Sequence, residues 1–321
     1  MTPAAEGSRR GNRITAQRWA SLLRSLGHTV DIAETYSGQD CDLLIALHAR
    51  RSLPSVLDYA ADRPSQPLIV ALTGTDLYHD LRVDQSCLEA LRLATRLVVL
   101  QPAAVAELPE EYQDKTRVIY QSAVAPPNPC PPRAEVFEVC VLAHLRPVKD
   151  PFRAALAARR LPDDSRIRVL HLGAALSAEM ERRARREMKE NRRYVWLGDT
   201  PRGVAQRILA RSRLLVLTSE MEGGANVLSE AIAAGVPVVA SRIPGTTGIV
   251  GEDYPALFDV GDTDALARLL VRAEADRAFY QELKERIAEL TKLVDPARER
   301  HAWRDLLAEI WRLTEENSAN T

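Results

Sequence analysis

Residues 212–245 read SRLLVLTSEMEGGANVLSEAIAAGVPVVASRIPG, and this stretch decides the fold. The apolar run from Leu214 to Leu217 predicts a buried strand, which is followed by a turn that contains Gly223 and Gly224. A second apolar run, Val236 to Ala240, predicts another buried strand, and the residues between the two runs predict a short helix. A strand–turn–helix–strand unit of this kind is typical of a parallel α/β sheet.

The turn and the helix that follows it form a predicted site for a nucleotide sugar. A helix start preceded by glycines offers backbone N–H groups to an anion. Glu222 precedes the glycines and Glu230 lies inside the helix, with seven residues between them. Carboxylates repel phosphate but accept hydrogen bonds from hydroxyl groups, so we expect a diphosphate at the helix start and sugars at the two acids. An ordinary strand–helix–strand unit with surface acids is the alternative.

The composition narrows the class of protein. The chain has 321 residues, 46% of them hydrophobic and 27% charged, which is typical of a soluble globular protein of about two domains. Its net charge of −1 gives no reason to expect a nucleic-acid partner. The sequence contains neither an apolar run of about 18 residues nor the apolar core of a secretion signal, so we expect no stable membrane association and a cytoplasmic location. The four scattered cysteines fit a reducing compartment.

Short apolar runs alternate with helical segments on both sides of a proline-dense connector, PPNPCPPR, at 126–133. The predicted strands of the first half are Val30–Ile32, Leu43–Leu47, Leu68–Leu72, Leu97–Leu100 and Val118–Tyr120, and those of the second half are Val136–Leu142, Ile167–Leu172, Tyr194–Leu197, Leu214–Leu217 and Val236–Ala240. This alternation predicts two doubly wound α/β domains, 1–127 and 128–296, followed by a C-terminal helix at 297–321. The first strand of the first domain is short or missing, and at most Met1–Ala5 represents it.

Residues 222–241, EGGANVLSEAIAAGVPVVAS, resemble the E-x7-E signature of family 4 glycosyltransferases. The resemblance implies the GT-B fold, in which two Rossmann-like domains face each other across a cleft and the final helix crosses back to the first domain. A final helix that packs on its own domain is the alternative for 297–321. It implies that Glu222 acts on the donor sugar during catalysis. It also implies a donor site that contains Glu230, Gly223, Gly224, Ala225 and Asn226. Gly173, Gly198 and Thr200 follow predicted strands, and from that position we expect them near the nucleobase of the donor.

A pair of cations follows the first strand of the second half, in LAHLRPVKDP at 142–151. The family has a G-R-L-x-x-x-K pattern here, and Lys149 occupies its lysine position. His144 stands at the arginine position, and Arg146 follows two residues later, so we expect Arg146 to be the second cation. Positive charge at a strand end suits a departing diphosphate, which makes Lys149 and Arg146 candidate catalytic residues.

The stretches ALHARRS (46–52), LTGTDLY (72–78), VIYQSA (118–123) and HLRPVKDP (144–151) look like one branch of the family, the SenB-type selenosugar synthases of selenoneine biosynthesis. That resemblance implies glycosyl transfer from UDP-N-acetylglucosamine or UDP-glucose to selenophosphate, with no cofactor and no metal. It also implies functional coupling to an enzyme that produces selenophosphate and to a downstream enzyme that forms another carbon–selenium bond.

A selenophosphate acceptor is a small polyanion, and the first half contains candidate residues for it. Gly11, Asn12 and Arg13 precede the first predicted helix, which begins at about Ile14, and Arg9 and Arg10 add positive charge there. The polar residues that follow predicted strands are His48, Arg50, Arg51, Thr73, Gly74 and Thr75. His48 is a candidate catalytic residue, and a hydroxyl acceptor would require His48 or Asp76 as a general base. Neighbouring residues on a strand point in opposite directions, so we expect one of Arg50 and Arg51 to be structural.

Three other functions remain open from the sequence. The first is a GT-B transferase with a hydroxyl or lipid acceptor, and the second is a sugar epimerase that uses the same donor pocket. The third is a non-catalytic subunit that binds a nucleotide sugar, which the short first strand and His144 favour. Asp40-Cys41-Asp42 matches a D-x-D metal motif, but it lies at the amino end of a strand, and we interpret it as a turn.

Overall fold

In the computed structural model, which describes residues 1–8 and 11–319 (the last three by backbone alone), the apolar runs of the sequence form parallel strands separated by helices. The chain divides into two units. The first comprises Met1–Ser122, Glu222–Asn226 and Pro296–Thr321, and the second comprises Ala123–Met221 and Val227–Asp295. The segment that contains Glu222 and the two motif glycines therefore belongs to the first unit.

The elements of the first half are, in chain order, α1 (Gly11–Ser25), β1 (Leu44–Leu47), α2 (Ala49–Asp62), β2 (Leu68–Ala71), a π-helical turn (Asp76–Asp80), α3 (Leu81–Val83), α4 (Ser86–Leu93), β3 (Arg96–Val99), a 3-10 turn (Pro102–Glu107), α5 (Glu110–Gln113) and β4 (Thr116–Val118).

The elements that follow are β5 (Phe137–Leu142), a 3-10 turn (Pro147–Lys149), α6 (Arg153–Ala158), β6 (Ile167–Leu172), α7 (Ala178–Glu190), β7 (Tyr194–Trp196), α8 (Arg202–Arg211), β8 (Leu214–Leu217), α9 (Asn226–Ala233), β9 (Val238–Ser241), α10 (Pro244–Val250), β10 (Leu257–Phe258), α11 (Thr263–Ala275), α12 (Arg277–Glu289), a 3-10 turn (Thr291–Val294) and α13 (Pro296–Ala319).

The sheet of the first unit contains four parallel strands in the order β1-β2-β3-β4. Each of the four residues of β2 is buried and apolar, as expected for a strand covered on both faces. The amino group of Met1 donates to the Ile45 carbonyl (2.7 Å), and the Leu47 N–H donates to the Met1 carbonyl (3.1 Å). Met1 therefore extends the sheet beside β1 by one residue.

Helices α1 and α13 cover one face of this sheet. Trp19 of α1 and Trp303 of α13 are both fully buried and pack edge to face, with their ring centroids 4.7 Å apart. Leu306, Leu307 and Ile310 continue the buried face of α13 into the same apolar cluster. The last helix is therefore a structural part of the first unit.

The sheet of the second unit contains six parallel strands in the order β10-β9-β8-β5-β6-β7. The strand order runs outward from β5 through β6 to β7 on one side, and from β8 through β9 to β10 on the other. The order thus reverses between β5 and β8, and ligands of doubly wound sheets bind at the carboxyl ends of the strands at such a reversal. The residues that follow β5 and β8 contain the cation pair and the E-x7-E motif.

One predicted strand is absent and one is displaced, whereas the others overlap observed strands and differ from them at most at their ends. Val30–Ile32 forms no strand. Among the described residues, the N-terminal segment reaches this part of the chain through one backbone hydrogen bond, from the Thr2 N–H to the Ala33 carbonyl (2.9 Å), and one such bond does not make a ladder. The run Val118–Tyr120 is shifted, and the strand is Thr116–Val118. Among the helices described, none is both long and apolar enough to cross a membrane.

Candidate active site

The loop after β5 and the loop after β8 are joined at the strand-order reversal of the second unit. The Thr218 hydroxyl lies 2.8 Å from the Lys149 carbonyl oxygen and 2.9 Å from that of Asp150. The Glu220 N–H donates to the Val148 carbonyl at 3.0 Å. These contacts fix the 3-10 turn that carries Lys149, a half-buried residue, at the carboxyl edge of the sheet.

His171 fixes the start of the same loop. Its Nε2 lies 3.0 Å from the Ala143 carbonyl oxygen, and its Nδ1 lies 2.9 Å from the Tyr194 hydroxyl. A carbonyl only accepts, so Nε2 carries the proton and Nδ1 accepts from Tyr194. Complete burial lowers the pKa of His171 to about 4, which keeps the ring neutral at pH 7.

His144, which replaces the arginine of the family pattern, is held by a backbone contact. Its Nδ1 accepts a hydrogen bond from the Ala174 N–H at 3.0 Å. Arg146 is the residue before the 3-10 turn and, like Lys149, is half-buried. The structure thus brings the two predicted cations together on one short loop.

Hydrogen bonds link the three residues expected near the nucleobase, Gly173, Gly198 and Thr200. The Gly198 carbonyl accepts from the Gly173 N–H (2.9 Å) and from the Thr200 hydroxyl (3.3 Å). Gly173 has φ 149°, and a Cβ at this position would overlap the Ala143 carbonyl. Glycine is therefore required at residue 173 by the backbone of the adjacent loop.

Glu230 of α9 lies in the second unit, and its side chain is only 10% exposed. Its Oε1 accepts from Arg202 Nη2 (3.0 Å) and Gln206 Nε2 (3.1 Å), both on α8. No described residue donates a hydrogen bond to its Oε2. The carboxylate is therefore pre-oriented by α8 and retains an oxygen that can accept hydrogen bonds from hydroxyl groups.

The Glu222–Asn226 segment packs within the first unit against the turn after β2. A Cβ at Gly223 would lie 2.5 Å from the Thr73 carbonyl carbon and oxygen, and a Cβ at Gly224 would lie 2.8 Å from Leu100 Cβ. Both values are shorter than any normal carbon contact. The two motif glycines are thus required by this packing, whatever contact they make with a ligand. Ala225, the next residue, is also buried.

Asp76 organises the turn formed by Thr73, Gly74 and Thr75. This fully buried carboxylate accepts hydrogen bonds from the backbone N–H groups of Thr73 (3.0 Å), Gly74 (2.7 Å) and Ala49 (3.1 Å). These hydrogen bonds engage both carboxylate oxygens and hold the side chain in the turn. Asp76, considered from the sequence as a general base, therefore has a structural role here.

His48 is the N-cap of α2, with Nδ1 accepting from the Arg51 N–H at 3.3 Å and Nε2 lying 3.0 Å from the Thr75 hydroxyl. Both ring nitrogens are thus engaged. Its φ of 74° is uncommon for a residue with a side chain, and such strain is concentrated at functional sites. His48 links α2 to the predicted acceptor turn.

The predicted acceptor cations differ in their surroundings. Arg50 is half-exposed and pairs with Asp80 (3.3 Å) and Asp84 (3.2 Å), whereas Arg51 is exposed. Arg13 is only 7% exposed, and its Nε has no partner among the described residues. Gly11 and Asn12 begin α1, and a Cβ at Gly11 would lie 3.8 Å from Asn226 Nδ2. Arg9 and Arg10 lie outside the described residues.

Three side chains hold Asn226 in the first unit, namely Thr15 and Arg18 of α1 and Gln121 after β4. Gln121 follows a predicted strand end, where ligand-binding residues are expected, whereas sequence reasoning missed Thr15 and Arg18. The spacing of Thr15 and Arg18 places them on one face of α1, which is a weak signal in the sequence. Their partner lies more than 200 residues away in the chain, so only the tertiary structure reveals the contact.

Comparison with known proteins agrees with this architecture. The family model for glycosyl transferases group 1 matches residues 131–292, just over half of the chain. N-acetyl-alpha-D-glucosaminyl L-malate synthase of Bacillus anthracis is 35% identical over 83 residues, which are 26% of this chain and 22% of that protein. Glycosyltransferase 1 domain-containing protein 1 of Xenopus tropicalis is 22% identical over 308 residues, 85% of this chain and 88% of that protein.

Solved structures show the same fold. HepE of Anabaena, crystallised with UDP and glucose, has a TM-score of 0.68 and 20% identity, and the match covers 84% of this chain and 78% of that chain. The trehalose-6-phosphate synthase OtsA has a TM-score of 0.65 and 16% identity, with coverage of 93% and 75%. The prediction of a GT-B fold is confirmed. The chain belongs to the glycosyl transferases group 1 family and is a glycosyltransferase.

Proposed function

We propose that the protein transfers a hexose from a UDP-sugar, either UDP-N-acetylglucosamine or UDP-glucose, to selenophosphate. The selenium atom attacks the anomeric carbon and forms a carbon–selenium bond. The bond between that carbon and the diphosphate oxygen breaks, and its electron pair leaves with UDP. Water then cleaves the selenium–phosphorus bond, which gives inorganic phosphate and a 1-selenosugar.

The donor half of this proposal is supported by the strand-order reversal in the second unit. Lys149 and Arg146 lie on a loop that Thr218 and Glu220 hold at the carboxyl edge of the sheet. Positive charge here stabilises the charge that develops on departing UDP. Glu230 presents an oxygen to the ribose hydroxyls, and Glu222 acts on the donor sugar. HepE, a structural neighbour, was crystallised with UDP.

The acceptor half is supported by the buried guanidinium of Arg13. Its unpartnered Nε lies on the first turn of α1, a 15-residue helix whose N-terminus favours anions. A buried guanidinium N–H without a hydrogen-bond partner is costly, and an anionic acceptor would supply one to Nε. Gly11 and Asn12 offer backbone N–H groups at the same helix end.

Selenophosphate is chosen over a hydroxyl acceptor because both candidate general bases already make hydrogen bonds within the protein. Asp76 accepts three backbone N–H groups, and both ring nitrogens of His48 have partners. A hydroxyl acceptor must lose a proton as it attacks. The selenium of selenophosphate is anionic near neutral pH and needs no such base. Coupling to an enzyme that supplies selenophosphate and to one that consumes the selenosugar belongs to the same proposal.

A hydroxyl-bearing anion is the second candidate acceptor. The Bacillus anthracis relative is named for L-malate, a hydroxy acid, and Arg13 would also suit its carboxylates. In that reaction the accepting nitrogen of His48, Nδ1, would have to release the Arg51 N–H to act as the base.

The test is UDP release from each UDP-sugar with selenophosphate, with L-malate, with inorganic phosphate or with no acceptor, followed by mass spectrometry of the products. We expect release with selenophosphate alone, a product containing selenium, and no effect of EDTA. Release with L-malate alone would select the second candidate, and no release with any of these acceptors would contradict both candidates.

A Lys149→Ala variant tests the role of the cation in the same assay. We expect it to release UDP at least about 100-fold more slowly, as when one stabilising donor is removed from an active site. The matched control is Lys189→Ala, which removes an exposed lysine from α7. Equal rates for the two variants would contradict the role of Lys149.

A further inference from the structure

Arg18 of α1 joins two distant segments of the chain within the first unit. Its Nε donates to both carboxylate oxygens of Glu299, at 3.1 and 3.2 Å, and its Nη1 donates to Asn226 Oδ1 at 2.6 Å. Its side chain is 15% exposed. A single guanidinium thus contacts the start of α13 and the end of the Glu222–Asn226 segment.

Asn226 is held on both sides of its amide. Its Nδ2 lies 3.4 Å from the Thr15 hydroxyl. The side-chain amide of Gln121 is oriented so that its nitrogen faces acceptors and its oxygen faces donors. The nitrogen donates to Asn226 Oδ1 (3.2 Å) and to the Gly224 carbonyl (2.9 Å), and the oxygen accepts from Arg18 (3.2 Å). Asn226 is the first residue of α9, so these contacts fix where that helix begins.

Glu299 anchors the other end of this network. It is 2% exposed and accepts from Trp19 Nε1 (2.8 Å), from the Ser122 N–H (2.9 Å) and from the Ser122 hydroxyl, in addition to Arg18. A buried carboxylate with this many donors keeps one geometry, because losing any of them would leave a charge unsatisfied. The Arg18 side chain is therefore held in one orientation by a rigid partner.

We propose that Arg18, anchored by Glu299, is a positioning residue for the donor site. The two glycines of the Glu222–Asn226 segment pack against Thr73 and Leu100, and Arg18 adds a polar anchor through Asn226. The Glu222–Asn226 segment is thereby ordered before the donor arrives, which lowers the entropy lost on binding. This inference rests on the proposed function only in taking the segment as part of the donor site.

Kinetics of an Arg18→Lys variant test the proposal. Lysine keeps the positive charge beside Glu299 but lacks the planar fork that reaches Asn226 at the same time. We expect the KM for the UDP-sugar to rise roughly tenfold, since a hydrogen bond to a charged group is lost, with the acceptor KM unchanged. The matched control is Glu309→Gln, which breaks the ion pairs of α13 with Arg96 and Arg117 and leaves the donor segment untouched. An equal rise in the two variants would overturn the proposal.

A double-mutant cycle tests whether Arg18 acts through Asn226. We expect Arg18→Lys combined with Asn226→Ala to be no worse than Asn226→Ala alone, because both remove one interaction. Effects that multiply would contradict the proposed route.

Hydrogen exchange of the ligand-free protein separates this inference from the proposed function. We expect a peptide spanning 222–230 to exchange faster in Arg18→Lys than in wild type or Glu309→Gln. If the wild type releases no UDP, the proposed function fails, and this exchange experiment still decides the role of Arg18. Unchanged exchange in Arg18→Lys would overturn the inference whatever the enzyme assay shows.

Discussion

At the scale of single residues, glycine in the E-x7-E motif has a role that the sequence alone does not reveal. The sequence predicts that Gly223 and Gly224 leave backbone N–H groups open to a phosphate. In the structure a side chain at either position would meet protein atoms, Thr73 at residue 223 and Leu100 at residue 224. The motif is thus constrained by packing against two segments that lie more than 100 residues earlier in the chain, as well as by any ligand.

A Gly223→Ala substitution tests this packing. The new Cβ would lie 2.5 Å from backbone atoms of Thr73, which cannot rotate away, so the segment must shift. Overpacking of this kind costs about 1–3 kcal/mol of unfolding free energy, and we expect a higher KM for the UDP-sugar as well. Chemical denaturation and donor kinetics would measure both effects.

The control for that substitution is Gly203→Ala, in α8, where the nearest atom to the new Cβ is the flexible end of Arg207 at 3.7 Å. Alanine is the better helix former by about 1 kcal/mol, so this variant is expected to be at least as stable as wild type. A Gly223→Ala enzyme with wild-type stability and donor KM would show that the segment is not packed as described.

At the scale of elements, the turn after β5 depends on a histidine from the neighbouring strand β6. His171 donates to the Ala143 carbonyl and accepts from Tyr194, so it must be neutral to make both contacts. Its burial in the core of the second unit lowers its pKa to about 4, against an ordinary value of 6.5. The position of the Lys149 loop is therefore linked to the protonation state of a residue that touches no substrate.

This linkage predicts acid sensitivity. Between pH 6.5 and pH 4 the unfolded chain binds a proton at His171 that the folded chain does not, so the free energy of unfolding falls as the pH falls through this window. The pKa difference corresponds to a loss of about 3 kcal/mol from this residue, fully restored above pH 6.5. Urea denaturation of wild type at pH 7 and pH 4 would measure it.

A His171→Gln variant is the comparison, because glutamine offers one donor and one acceptor without titrating. Between pH 7 and pH 4 we expect His171→Gln to lose less unfolding free energy than wild type does. The difference between the two losses should be most of the roughly 3 kcal/mol. His28→Gln, which replaces an exposed histidine, should retain the wild-type response. Identical pH responses in wild type and His171→Gln would contradict the assignment.

At the scale of the whole molecule, local patterns in the sequence predicted the fold class and most strands. The run Leu214–Leu217 is strand β8 residue for residue, and the GT-B prediction is confirmed. These features depend on periodicity and on a twenty-residue motif. Val30–Ile32 failed as a strand because a strand needs a ladder partner, which is a property of the sheet and not of the run.

The candidate site was less predictable, for the same physical reason. Lys149 and Arg146 follow a strand, so their place at the carboxyl edge follows from the α/β pattern. Other contacts join segments that are far apart in the chain. They are the hydrogen bonds from α8 to Glu230, from Arg18 to Asn226 and from Arg18 to Glu299. Short-range patterns carry no information on such pairs.

The affinity for UDP of a Glu230→Ala variant tests the account most directly, because the proposed donor site depends on that carboxylate. Its control is Glu274→Ala, since Glu274 is similarly buried in the same unit (12% exposed) and also pairs with a half-exposed arginine, Arg166. In calorimetric titrations we expect Glu230→Ala to raise the Kd for UDP at least about tenfold and Glu274→Ala to leave it near the wild-type value. A wild-type Kd in Glu230→Ala, or an equal rise in both variants, would contradict the donor site described here.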